Sequence, residues 1–318
     1  MTRSILRLAC IGLVAVSVAW GANKSGRKET TPESEPAVRT VSTVAQLRAG
    51  VIRLRSLQLP MDPPQPGDWL AEHKENGQTF NQFLVHRPNP APSELTTLSI
   101  QPIGNFGKTQ QRLVVTTARC LGLFYGRPVK MLPGIGLDVI PEDAQRINAQ
   151  TRKTQILSTY VLDKVLKPKR PPDALAVLAL SAEDLWPGKG WNYVFGQASL
   201  SERVGVWSIQ RFGIPNASAA AYQLCLERTL GTALHETGHM LGISHCTAWQ
   251  CGMNGRNSLE ESDRGPLHFC SECQAKVGWS CNLEPQKHLT ELIEFANQHE
   301  LEDSAEYWQT TLELIKAK

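Results

Sequence analysis

Apolar residues change their spacing several times along this chain, and each change marks an element. Between Ser42 and Leu59 the apolar positions Val44, Leu47, Val51, Leu54 and Leu57 recur every three or four residues. That spacing predicts one face of a helix in spite of Gly50. Three prolines in residues 61–67 break it, and a second proline-rich stretch at 87–92 places a boundary near residue 94. Strands are then predicted at 98–103 and 129–132, and helices at 109–124 and 153–166, the last with Ile156, Leu157, Tyr160 and Val161 along one side. Residues 174–180 are almost entirely apolar, as suits a strand buried on both faces. Two more strands are expected at 193–198 and 203–212, followed by a long helix over about 220–242. Apolar residues spaced through 288–315 predict one or two terminal helices. Strands interleaved with helices imply an α/β (α+β) domain with a mixed sheet. The chain shows no internal repeat.

The N-terminus has a different pattern. Arg3 and Arg7 precede an uncharged apolar run over residues 8–20, and Ala19-Trp20-Gly21 offers small residues where a signal peptide is cut. The run is too short to span a bilayer. Residues 1–21 are therefore read as an export signal, giving a secreted or periplasmic protein with no stable membrane span. An uncleaved anchor and a mitochondrial presequence are the alternatives. Cys10 lies within this run and not behind it, which argues against lipid attachment there. Residues 22–40, rich in Lys, Glu, Ser, Thr and Pro, read as a solvated linker. The expected organisation is thus signal (1–21), linker (22–40), helical extension (41–93), main domain (94–285) and C-terminal helices (286–318).

Composition narrows the classes further. With 318 residues, 41% hydrophobic and 20% charged, the chain has the make-up of an ordinary globular protein, not a fibrous or polytopic membrane one. A formal charge of +3 is too slight for a dedicated nucleic-acid binder. Of eight cysteines, Cys246, Cys251, Cys270 and Cys273 cluster beside histidines, whereas Cys10, Cys120, Cys225 and Cys281 are scattered. In a chain large enough to build its own core, clustered thiols beside histidines point first to metal.

Candidate chemistry is concentrated in His235-Glu236-Thr237-Gly238-His239-Met240-Leu241-Gly242-Ile243-Ser244-His245. Helix positions i and i+4 share a face, so His235 and His239 can both address one metal ion, with Glu236 beside them as a base that is not a ligand. Gly242 permits the left-handed turn that ends the helix and returns His245 as a third ligand. Three imidazoles leave zinc an open position for water, whose pKa the metal lowers towards neutrality. A bare HExxH arises by accident in a chain this long at roughly the few-per-cent level; the full pattern does so about once in ten thousand. Cys246, Cys251, Cys270 and Cys273 form a C-x4-C, C-x2-C set suited to a closed, structural zinc, with disulfides as the competing reading for an exported protein. The loop between the cysteine pairs sets Arg256 and Arg264 against Glu260, Glu261 and Asp263, so it lacks the basic patch of a nucleic-acid-binding finger. The sequons at Asn23 and Asn216 are short enough to be accidental.

The composite of His235 to His245, adjacent Cys246, then Cys251, Met253, Cys270 and Cys273 resembles the signature of the archaemetzincins, zinc metallopeptidases of the metzincin clan. The likeness extends to Asp68-Trp69-Leu70, Gly77-Gln78-Thr79-Phe80, Gln101-Pro102-Ile103-Gly104, Ile156 to Leu166 and Gly196-Gln197-Ala198-Ser199, so it covers most of residues 65–285, and it is greatest to longer members with an N-terminal extension. The resemblance implies a metzincin-like catalytic domain with a long active-site helix and a C-terminal subdomain held by four cysteines. It further implies two zinc ions: one catalytic, on His235, His239 and His245, and one structural, on the cysteines. Glu236 would be the general base and then acid, Met253 a thioether floor under the metal, and the substrate a peptide or protein, cleaved in aminopeptidase fashion by some relatives. The strand at 203–212 is expected either to be an edge that pairs with extended substrate or to be an interior strand. The competing function is a non-catalytic zinc protein acting as an interaction module.

Overall fold

The computed structural model describes residues 42–86, 94–199 and 201–317. The export signal expected at 1–21 and the linker expected at 22–40 lie outside these residues. Helix α1 (Val44–Arg53) opens on Thr43, whose hydroxyl accepts from the Gln46 N–H while the Gln46 side chain accepts from the Thr43 N–H. This reciprocal cap satisfies two otherwise unpaired donors. A 3-10 turn (Leu54–Leu57) and the short helices α2 (Trp69–Glu72) and α3 (Phe80–His86) follow. The central region then runs β1 (Thr97–Ile103), α4 (Lys108–Phe124), β2 (Val129–Met131), β3 (Gln145–Ile147), β4 (Thr154–Leu157), α5 (Ser158–Tyr160) with a π-helical turn (Val161–Leu166), β5 (Ala174–Ser181), β6 (Asp184–Trp186), β7 (Gly196–Ala198) and β8 (Val204–Ser208). Five helices complete the chain: α6 (Ala219–Met240), α7 (Leu259–Asp263), α8 (Ser271–Cys281), α9 (Pro285–Gln298) and α10 (Glu302–Lys316).

The main sheet has the order β2-β1-β5-β8-β7 and is parallel except at β7, which runs antiparallel to β8. Strand β5 lies at its centre and every one of its residues is buried. Alternation sends its side chains to opposite faces. Leu178 and Leu180 join a core built with α4, α6, α8, α9 and α10, while Val177 and Ala179 join a second core with the π-helical turn and a small sheet of order β3-β4-β6. An uninterrupted apolar strand therefore reports two covered faces. No helix among the described residues is long and apolar enough to cross a membrane.

Two elements differ from their sequence expectation. Residues 154–157, expected as the start of a helix, form β4, paired with both β3 and β6. Apolar positions at Ile156, Leu157, Tyr160 and Val161 fit a strand that turns into a helix as well as they fit one continuous helix, so periodicity alone could not separate the two. The strand expected at 203–212 is shorter, and of the two positions left open for it the interior one holds: β8 has β5 on one side and β7 on the other. It is unavailable as a peptide-binding edge. The antiparallel pairing of β7 on β8 places β7 outermost in the sheet.

The segment leading into β7 is braced from behind. Arg146 donates to the carbonyls of Trp191 and Asn192 at 3.2 and 2.8 Å, and Gln155 donates to Asn192 O and to Asp184. Arg211 grips the same buried Asp184 through two bonds of 2.8 and 2.7 Å while stacking over Tyr193. Breaking a buried pair by removing one partner strands the other charge. Arg211→Met should therefore cost about 3–5 kcal/mol, read as a lower denaturant midpoint. The double variant Asp184→Asn/Arg211→Met should lose less than Arg211→Met alone.

Candidate active site

Helix α6 starts at Ser218, whose hydroxyl caps the Ala221 N–H, and crosses the face of the main sheet. At its end, Gly242 N donates to His239 O and Ile243 N donates to Gly238 O, with Gly242 at φ 83°. This is the Schellman pattern, in which a left-handed glycine satisfies the last helical carbonyls. It reverses the chain so that His245 comes back to face His235 and His239, and nitrogen atoms of the three rings lie within 4.8 Å of one another. Tyr125 secures the middle of the helix by donating its hydroxyl to Leu234 O at 2.6 Å.

Every one of these rings has its Nδ1 engaged by an acceptor. His235 Nδ1 donates to Gly252 O at 3.0 Å, His239 Nδ1 to Ile243 O at 2.7 Å, and His245 Nδ1 to the Glu75 carboxylate at 2.8 Å. A carbonyl or carboxylate can only accept, so each ring is an Nδ1–H tautomer with its Nε2 lone pair left free. The Nε2 atoms of His235 and His239 are 2.9 Å apart. Lone pairs crowded in this way repel unless a cation lies among them, and three neutral imidazoles are a donor set that zinc takes. Burial pushes His239 down to about 4 and His235 well below the usual histidine range, which keeps these two rings neutral, the form that binds a metal.

Glu236 is buried beside this cluster, and burial pushes its carboxyl up to about 8. Its neighbour is Gly196 of β7, where an added Cβ would stand 2.8 Å from Glu236 Cδ. The edge strand thus passes directly over the carboxylate, and a side chain at 196 would have to displace it. Helix, strand, His245 and Trp69 line a cleft of about 680 Å³. Met253 is fully buried with its sulfur against Gly238, between the first two histidines on α6.

The four cysteines Cys246, Cys251, Cys270 and Cys273 are buried, and their sulfurs lie within 4.8 Å of one another. Cys246 Sγ and Cys270 Sγ are 3.8 Å apart, the edge of a tetrahedron with zinc–sulfur bonds of about 2.3 Å and well beyond the roughly 2.05 Å of a disulfide. Backbone N–H groups of Met253 and Cys270 point at Cys251 Sγ, and the buried Lys276 ammonium lies 3.8 Å from Cys273 Sγ. A metal ion would take these sulfurs as thiolates. Asn254 knits the connecting loop by donating to Cys246 O and Trp249 O and accepting from Cys251 N. Elsewhere, burial raises Cys120 and Cys281 to about 12, in keeping with inert packing residues. In the intervening loop Arg256 donates to Ser262 and Pro266, and Arg264 pairs with Asp68. Its cations are spent within the fold.

A family model described as peptidase family M54 matches residues 129–278. Archaemetzincin-2 of Homo sapiens is 34% identical over 298 residues, covering 80% of this chain and 82% of the relative. The chain belongs to the archaemetzincins. Archaemetzincin-2 of Macaca fascicularis is also 34% identical, over 271 residues and 74% of each chain. A solved archaemetzincin of Archaeoglobus fulgidus is 30% identical and covers 57% of this chain and 99% of its own, with a TM-score of 0.45. As an archaemetzincin the protein is a zinc metallopeptidase acting on peptides or proteins.

Sequence reasoning on this archaemetzincin did not find Glu75, Tyr125 or the contact of Gly196 with Glu236. None of the three belongs to a local spacing pattern. With the histidine site stripped of metal, the Glu236 carboxyl is raised from 4.5 to about 8 in the folded chain. The folded state then binds more protons than the unfolded one between those values, so this group makes stability fall as pH rises through that window. Glu236→Gln should flatten the decline, gaining up to a few kcal/mol over the parent at pH 8 or above. Denaturant titrations of the stripped proteins across pH 4.5–8.5 measure it.

Proposed function

We propose that His235, His239 and His245 hold the catalytic zinc, that Cys246, Cys251, Cys270 and Cys273 hold a second, structural zinc, and that Glu236 is the general base of peptide hydrolysis. The observation that carries this reading is the set of Nδ1 bonds, which leaves three free lone pairs facing one point beside a buried carboxylate. A zinc ion bound there supplies a Lewis acid for the scissile carbonyl and makes water acidic enough to attack near neutral pH. A nearby dication also favours the charged form of Glu236, offsetting the effect of burial. Glu236 takes a proton from the attacking water and delivers it to the leaving amine.

Substrate enters along β7. Among the described residues no strand pairs with the outer side of this outermost strand, and an extended peptide laid against Gly196–Ala198 passes over Glu236. Besides Glu236, Glu75 is the one carboxylate lining the cleft among the described residues, and it is engaged by His245. The aminopeptidase-like action implied by the family resemblance is therefore tested directly, with matched peptides bearing free and acetylated N-termini.

Glu236→Gln should lower kcat by roughly 10²–10⁴-fold with zinc content unchanged. A chelator should abolish cleavage of a fluorogenic peptide library by the parent protein, and added zinc should restore it. A zinc-replete Glu236→Gln variant that cleaves at the parent rate would remove Glu236 from the mechanism. A parent protein that binds zinc and cleaves no peptide would favour the interaction-module reading.

A further inference from the structure

The three histidines are not held alike. His235 and His239 sit on α6, and their Nδ1 atoms meet backbone carbonyls of nearby residues. His245 lies beyond the helix end on an irregular turn, and its Nδ1 partner is the side chain of Glu75, 170 positions upstream. Glu75 belongs to residues 73–79, which run beside the turn carrying His245. Gln78 fastens the two segments, donating to Gly242 O at 3.5 Å and accepting from Ser244 N at 3.3 Å. Gly77, at φ 65°, leaves no room for a side chain against Thr247. The fully buried Lys276 donates to Gln78 O and reaches towards Cys273 Sγ, and Glu272 accepts from Phe80 N at 2.5 Å. This strap is thus fixed to the cysteine-bearing helix α8 on one side and to the His245 turn on the other.

From this arrangement we propose that Glu75 is a positioning residue for the catalytic metal centre, contributed by the strap: by accepting from Nδ1 it holds His245 in the tautomer and orientation that present Nε2 to the ion. The proposal rests on the assignment of His235, His239 and His245 as zinc ligands. Free in solution, a histidine exchanges tautomers and rotates; tied to a carboxylate, its ring is aligned and its metal-binding nitrogen made more basic. Trp69 adds a second restraint, its ring standing edge-on to His245 at 5.2 Å between centroids. The strap lies outside the residues matched by the family model, so the peptidase core receives one of its supports from the N-terminal part of the chain.

The test is chelator competition on the full chain with zinc, repeated with cobalt(II), whose sulfur-to-metal absorption distinguishes the cysteine site from the histidine site. Glu75→Leu should weaken metal binding at the histidine site about 10–100-fold and leave the cysteine site unaltered. Glu75→Gln, whose amide oxygen still accepts the Nδ1 proton, should recover most of that loss. Equal behaviour of the Leu and Gln variants, whether both weak or both like the parent, would overturn the proposal, because packing alone would then account for the strap. A parent protein that takes up metal only at its cysteines would instead overturn the underlying ligand assignment, so the two failures are told apart.

Discussion

The proton on each Nδ1 is the constraint from which the rest of this centre follows. An imidazole offers a metal only one nitrogen at a time, and which one depends on where its proton is held. Here Gly252 O, Ile243 O and Glu75 hold those protons on the outer side of the cluster. Each acceptor comes from a different part of the chain: the loop after the second cysteine, the turn after the helix, and the strap. The fold brings all three together around one end of α6.

The cysteine cluster matters for the same reason. Its loop supplies Gly252 O to the first histidine and seats Met253 beneath the helix, and Cys246 follows the third histidine without a gap. That loop is poor in apolar side chains, and its order comes from Asn254, Arg256 and four converging sulfurs. Metal bound at the thiols would therefore stiffen a loop that also orients His235.

The parts of the site that could be read from the sequence are those whose geometry is local. His235 and His239 are placed by one helical turn, His245 by a glycine-ended helix, and the cysteines by two short spacings. The central strand β5 was readable because burial on both faces leaves a run with almost no polar positions. What escaped depends on contacts between distant segments. The distinction between an edge and an interior strand at β8 rests on where β7 pairs, which an alternating pattern does not encode. Residues 154–157 satisfy two periodicities, and the second sheet decides between them. Glu75 lies in a polar stretch with no periodic signal, and nothing near it in sequence hints at a partner so far downstream.

Two of the three proton acceptors are main-chain carbonyls, which no single amino-acid replacement can delete. The third is a side chain and can be exchanged, shortened or neutralised by one codon change. Mutational robustness is thus uneven around the three histidines. Position 75 can therefore vary in descendants of this gene, and with it the hold on His245, while the histidine motif itself stays untouched.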